Sequence, residues 1–155
     1  HMLATVAWIG GLAVLTLLVY PLAQRSLDAA AFSDLLHKIN KRLDPIGWLS
    51  LVVLTATGLM QMSASEQYTG FLVVDNAWAR AILIKHLVFA GILILSAVQT
   101  WGLAPAIEHA VLRRAKGKDD GALAALQQRE TTLMRVNLAL GLLVLLLSAW
   151  ARVSA

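Results

Sequence analysis

Four long apolar segments take up most of this chain and restrict it to a membrane-embedded fold. Each is about 20 residues long, enough for a helix to cross a hydrocarbon core roughly 30 Å thick. The composition agrees, because 59% of the residues are hydrophobic against about 45–50% in soluble domains. Helices are expected because open strands would leave backbone groups without hydrogen bonds in lipid. The predicted spans are residues 2–23, 45–62, 81–103 and 131–151.

The four spans predict one all-α integral membrane domain over residues 1–155, an up-down-up-down four-helix bundle. Short amphipathic helices are expected on the cytoplasmic side. Residues 28–43 carry apolar side chains at helical spacing, which predicts a helix lying on the inner leaflet and ending at Asp44-Pro45. Residues 105–129 are expected to form a helical hairpin that turns within residues 116–121.

The distribution of basic residues predicts the orientation of the chain. Nine basic residues lie in the two segments that join span one to span two and span three to span four, whereas three lie on the other side. This positive-inside bias predicts a bacterial-type inner membrane protein with both termini extracytoplasmic, and it explains the basic charge without nucleic acid. The outer loop then includes the apolar run 71–74, which is expected to dip into the interface or cover the bundle mouth. The nine basic residues on the predicted cytoplasmic side are Arg25, Lys38, Lys41, Arg42, Arg113, Arg114, Lys116, Lys118 and Arg129. The three on the other side are Arg80, Lys85 and Arg152.

Two histidines at matching heights are the strongest indication of function. His1 opens the first span and His86 lies in the first turn of the third, so both belong to the extracytoplasmic end. In a simple bundle these spans lie on a diagonal, and their imidazoles can face each other across the core. The chain has no cysteine, so a metal here would use imidazole, thioether, carboxylate or carbonyl ligands. A His-Met pair can also be the remnant of a cloning site, and His1 is taken as a native residue.

The histidine pair suits either a haem iron with two axial imidazoles or a copper ion. Small residues near the pair would leave space for a porphyrin, and the three outer cations could pair with its propionates. Methionines at the same end would instead favour copper(I). Interfacial histidines in a cofactor-free structural subunit are the third interpretation. The haem candidates are His1, His86, Gly10, Gly11, Arg80, Lys85 and Arg152, with Gly58, Ala90 and Gly91 as further small residues, and the copper candidates are His1, His86, Met2, Met60 and Met62.

Polar residues inside the spans are few. Gln99 and Asn137 lie at equal depth on spans three and four, which predicts a hydrogen bond between these helices. The predicted spans contain no aspartate or glutamate, so a carboxylate proton relay is not expected. No arrangement of nucleophile, base and acid is visible, which favours a redox or transport protein over a stand-alone enzyme.

The motifs around both histidines resemble those of the copper resistance protein D (CopD) family of membrane domains. The opening segment carries a histidine, a tryptophan seven residues later and a glycine pair, at His1, Trp8 and Gly10-Gly11. The run from Lys85-His86-Leu87-Val88 to Ser96-Ala97 is similar to a later helix of that family. The resemblance implies a helical membrane domain that acts in copper uptake or tolerance, with His1 and the methionines as metal-handling candidates.

A weaker resemblance points to haem. HemJ-type protoporphyrinogen oxidases have a similar small helical body with a histidine in the first helix and a lysine in a later one, which His1 and Lys85 would match. Small b-type cytochromes also place histidine pairs across a bundle.

The histidine pair and the space for a porphyrin together favour b-type haem with His1 and His86 as axial ligands, acting in electron transfer or redox sensing. A copper uptake or tolerance protein and a structural subunit are the alternatives. The expected partners are the lipid bilayer, a redox partner or extracytoplasmic copper protein, and a second copy or a larger membrane complex.

Overall fold

Four long helices form all of the regular structure in the described residues. The computed structural model describes residues 1–66, 70, 77–118 and 121–153, and these residues contain no strand. All four helices are long and apolar enough to cross a membrane. The prediction of an all-α, four-span membrane protein is therefore confirmed, whereas the apolar run 71–74 lies outside the described residues. The helices are α1 (Met2–Ser26), α2 (Ala29–Ser63), α3 (Ala77–Ala115) and α4 (Ala122–Val153).

The helices direct most of their apolar side chains outward. Only 11–22% of the residues in the spanning windows are buried inside the protein. Large side chains such as Leu3, Leu17 and Leu146 are exposed by 88%, 63% and 68%. Such a surface is stable in hydrocarbon but not in water, so the lipid bilayer is the expected solvent for these faces.

Helix α2 is longer than predicted. It begins after Asp28, whose side-chain oxygen accepts hydrogen bonds from the amides of Ala30 and Ala31 at 3.0 and 2.8 Å. It then runs unbroken past Pro45 to Ser63. The predicted break at Asp44-Pro45 is wrong, because the proline removes one backbone hydrogen bond and the rest of the long helix is retained. The predicted amphipathic segment 28–43 is thus the first part of a spanning helix.

Two prolines are accommodated by π-helical turns. Helix α1 contains a π-helical segment, Leu15–Val19, two residues before Pro21. Helix α3 contains another, Val98–Leu103, two residues before Pro105. A π turn bonds each carbonyl to an amide one residue further on than an α turn does, which gives room for a residue without an N–H. For this reason α3 continues beyond the predicted end of its span. The α-helical parts are Met2–Val14 and Tyr20–Ser26 in α1, and Ala77–Ala97 and Ala104–Ala115 in α3.

The connection between α3 and α4 lies where the sequence predicts it. Gly117 and Gly121 have φ angles of +75° and +73°, a conformation that favours glycine over other residues. Residues 119 and 120 lie outside the described residues. The predicted helical hairpin therefore exists, but its arms are the ends of α3 and α4 and not separate short helices.

The contacts make α1 antiparallel to α2 and α3 antiparallel to α4. The ring of Tyr20 near the end of α1 meets that of Phe32 near the start of α2, with centroids 5.2 Å apart. Trp78 at the start of α3 shares a core cluster with Ala151 at the end of α4. The same cluster includes Met62, so the end of α2 lies beside the start of α3. The full up-down order across the membrane and its direction stay predictions.

Gly141 lets α4 pack closely against α1. A Cβ atom at this position would lie 3.1 Å from Cζ3 of Trp8 and 3.6 Å from Cγ1 of Ile9. Gly91 on α3 is a contrasting position, because a Cβ atom there would have nothing within 4 Å.

We predict that Gly141→Leu destabilises the bundle by about 1–3 kcal/mol, because the larger side chain must displace Trp8. Thermal unfolding of the purified protein in detergent would show a lower midpoint than wild type. The matched variant Gly91→Leu should keep the wild-type midpoint. Equal midpoints for Gly141→Leu and Gly91→Leu would contradict the close α1–α4 contact.

Candidate metal centre

The imidazole of His1 is held against α2. Its Nδ1 atom lies 2.8 Å from Oγ1 of Thr57. The Thr57 hydroxyl donates its single proton to the carbonyl oxygen of Val53, so it can only accept from the ring. Nδ1 of His1 therefore carries the proton, and Nε2 of the neutral ring carries the lone pair that binds metals.

The imidazole of His86 has the same tautomer. Its Nδ1 atom lies 2.7 Å from the carbonyl oxygen of Ile82, one turn earlier in α3. A carbonyl oxygen only accepts, so Nδ1 of His86 is the donor. Histidines that ligate metals usually donate their second ring N–H to a carbonyl or similar acceptor, which fixes the ring. Both predicted histidines thus have the hydrogen bond expected of a metal ligand.

Met62 is the buried methionine near the end of α2. It follows Gly58 by four residues and therefore lies on the same helix face, and a Cβ atom at Gly58 would lie 3.6 Å from Cε1 of His1. Met62 is only 9% exposed, in a core cluster against which Ile82 also packs. Ile82 lies one turn before His86 in α3.

The other two methionines do not share this environment. Met2 and Met60 are exposed by 72% and 68%, so their thioethers face away from the interior of the bundle. The described residues contain no group of three or more His, Cys, Asp or Glu side chains that could hold a metal ion. A metal centre at this end therefore needs a thioether ligand, and Met62 is the methionine that the packing positions for it.

The residues predicted to surround a porphyrin do not line one common cavity among the described residues. Lys85 lies within electrostatic range of Arg152, whose side chain is exposed, as is that of Arg80. A Cβ atom at Gly10 would meet nothing within 4 Å, and Gly11 lines a cavity that His1 and His86 do not line. These positions give the haem prediction no support.

A polar cavity lies deeper in the bundle, where all four helices contribute. Its volume is about 130 Å³. The predicted interaction between Gln99 and Asn137 is confirmed here, because Nδ2 of Asn137 donates to Oε1 of Gln99 at 3.2 Å and also to Oγ of Ser96 at 3.0 Å. The polar and thioether side chains lining the cavity are those of Asn40, Asp44, Trp48, Ser96, Gln99, Thr100, Glu130, Met134 and Asn137.

Sequence reasoning missed the carboxyl groups of this cavity. Asp44 and Glu130 each lie one residue outside a predicted span, yet both belong to the long helices and line the cavity. Glu130 is only 7% exposed. The signal that could have identified it is its spacing to Met134, Asn137 and Gly141, which places all four on one face of α4. The helices as they form thus contain two carboxyl groups that lie outside the predicted spans, and the absence of a carboxylate proton relay stays a prediction.

One family model matches this chain. It is that of copper resistance protein D (CopD), and it matches residues 37–151. The chain belongs to the CopD family. The comparisons with curated proteins and with solved structures give no match.

The match to CopD covers Met62, His86 and the polar cavity, whereas His1 precedes it. It confirms the resemblance seen in the sequence and indicates a copper-related, multi-pass membrane protein. It gives no support to haem, a cytochrome b or electron transfer.

We predict that Thr57→Val weakens copper(I) binding by about 10–100-fold, the usual loss when the hydrogen bond that orients a metal-binding histidine is removed. A competition titration against a chromogenic copper(I) chelator measures this. Thr55→Val is the matched control, because the Thr55 hydroxyl bonds only its own helix, at the Leu51 carbonyl. If both variants bind copper(I) like wild type, the Thr57 contact does not orient a ligand.

Proposed function

We propose that this CopD-family protein binds copper(I) at the extracytoplasmic end of its bundle and acts in copper uptake or tolerance. The ligands are Nε2 of His1, the thioether of Met62 and Nε2 of His86. Copper is the cargo of this site and not a resident cofactor. The observation that carries the proposal is that hydrogen bonds through Nδ1 hold both imidazoles at the end of the bundle where Met62 is buried.

The chemistry of these ligands supports copper(I) over other metals. Thioether and imidazole form a soft to intermediate donor set, which suits copper(I) better than magnesium or calcium. All three proposed ligands are neutral, so the bound site carries a single positive charge close to the membrane interface. Burying this single charge costs less free energy than burying the two charges of a divalent ion bound by the same ligands.

The exposed methionines fit a role in delivery. Met2 and Met60 lie at the same end of the chain's helices but face outward. They could pass copper from an extracytoplasmic copper protein to the buried Met62 by exchange of one thioether for another. The orientation that places this end outside the cytoplasm follows from the distribution of basic residues.

We predict that Met62→Leu and His86→Asn each lower copper(I) affinity by at least tenfold, because each removes one ligand. Leucine keeps the volume of methionine, a change that cores tolerate well. Asparagine keeps an N–H donor close to where Nδ1 of His86 bonds the Ile82 carbonyl. Equilibrium competition with a copper(I) chelator, with the protein in lipid nanodiscs, gives the affinities.

Met60→Leu is the matched control, since it removes a thioether from the same helix end, and its affinity should equal that of wild type. Loss of affinity in Met60→Leu but not in Met62→Leu would overturn the ligand assignment. A Soret band in the visible spectrum of the purified protein that His86→Asn alters would instead support the haem prediction.

A further inference from the structure

The polar cavity has a chemical character different from that of the histidine–methionine end. It is lined by two carboxyl groups, those of Asp44 and Glu130, and by amide and hydroxyl groups from α2, α3 and α4. The ligands proposed for copper(I), His1, Met62 and His86, do not line it. The cavity therefore needs an explanation that does not depend on copper(I).

Glu130 is hydrogen-bonded as an acceptor on both of its oxygens. The Tyr20 hydroxyl donates to Oε2 at 2.5 Å, and Nδ2 of Asn40 donates to Oε1 at 3.3 Å. Donors on both oxygens favour an ionised carboxylate, whereas burial of the group favours the protonated form. Asp44 lies close enough for its charge to act on Glu130.

The Glu130 carboxyl group has no positive partner in the part of the chain that the structure describes. The one ion pair there joins Lys38 to Asp34 on the exposed face of α2. An ionised carboxylate away from water is costly unless a counter-charge lies beside it. A cation that enters the cavity would supply this counter-charge and favour the ionised form of Glu130.

Asn137 provides an independent indication of a ligand. Its residue is 3% exposed, it lines the cavity, and its Oδ1 atom has no hydrogen-bond partner among the described residues. Its amide group cannot turn to correct this without loss, because Nδ2 donates to both Ser96 and Gln99. Buried polar atoms are almost always paired, so the Asn137 oxygen is a ligand position that the protein chain itself does not fill.

We propose that the cavity binds one hard divalent cation of the magnesium, calcium or manganese class, held by the carboxylates of Asp44 and Glu130 and the Oδ1 atom of Asn137. Carboxylate and carbonyl oxygens are the ligands that such ions prefer. Two carboxylates balance the charge of a divalent ion. A volume of about 130 Å³ also leaves room for the water molecules that these ions retain.

The location of the site suggests what the cation does. Both π-helical segments contribute to its lining, Leu15 from the first and Gln99 and Thr100 from the second. Pro45 follows directly after Asp44. The cation thus joins α2 and α4 at the level where α1, α2 and α3 carry their helix irregularities, and it stabilises the bundle there.

The experiment uses manganese(II) as the probe, because its free aquo ion has an electron paramagnetic resonance signal that disappears on binding. The full chain in nanodiscs is titrated with manganese(II) alone. We expect one saturable site per chain, displaced by magnesium or calcium. Glu130→Gln and Asp44→Asn should each weaken binding by at least tenfold, and Glu108→Gln, which removes an exposed glutamate of α3, should leave it unchanged.

Met62→Leu separates this site from the proposed copper site, since it should bind manganese(II) like wild type even where its copper(I) affinity falls. If Glu130→Gln fails to fold, Asp44→Asn still decides the result, because Asp44 is partly exposed and makes no side-chain hydrogen bond in the described part of the chain. The proposal is overturned if wild type shows no saturable manganese(II) binding, or if Asp44→Asn binds as tightly as wild type.

Discussion

The hydrocarbon solvent determines where every polar group of this protein can lie. A polar side chain on a lipid-facing surface finds no hydrogen-bond partner, so it must find one inside the bundle or at the interface. The described helices follow this rule closely, with Leu, Val and Ile exposed and Asn137, Glu130 and Ser33 buried. The interior of the bundle is therefore where the chemistry of the chain is concentrated, and its polar atoms can be accounted for one by one.

The polar and sulfur atoms inside the bundle fall into two regions with different donor atoms. At the end of the bundle where Met62 is buried, the imidazoles of His1 and His86 are each held by a hydrogen bond through Nδ1. Deeper in the bundle, the cavity presents carboxyl, amide and hydroxyl oxygens together with the Met134 thioether, and the Oδ1 atom of Asn137 has no partner among the described residues. The ligands proposed for copper(I) do not line this cavity. This separation would let a copper(I) site and a hard-cation site exist in one small domain without competing for the same ion.

Hydropathy alone predicted the number of helices and most of their extent, because crossing lipid demands long apolar runs. The Gln99–Asn137 hydrogen bond was also predictable, since polar residues at equal depth on neighbouring helices have few other partners. The positions of Pro21, Pro45 and Pro105 do not reveal where the helices end. A proline removes one backbone hydrogen bond, and a helix continues past it where a π turn or the remaining bonds of a long helix make up for that loss. Spans defined by hydropathy likewise stopped one residue short of Glu130.

The methionines show why the site itself could not be read from the sequence. Met60 and Met62 are two residues apart, which places them on different sides of a helix, and only packing reveals that Met62 is the buried one. From the sequence alone, both methionines are equal candidates for a copper ligand. The direction of the His1 and His86 lone pairs likewise depends on the Thr57 hydroxyl and the Ile82 carbonyl, contacts that exist only in the folded chain.

X-ray absorption at the copper edge of the copper(I)-loaded protein tests the central claim most directly, because it reports the atoms bound to the metal. The account predicts two nitrogen ligands and one sulfur ligand, with the sulfur lost in Met62→Leu and retained in Met60→Leu. A copper site without sulfur, or one whose sulfur persists in Met62→Leu, would contradict it.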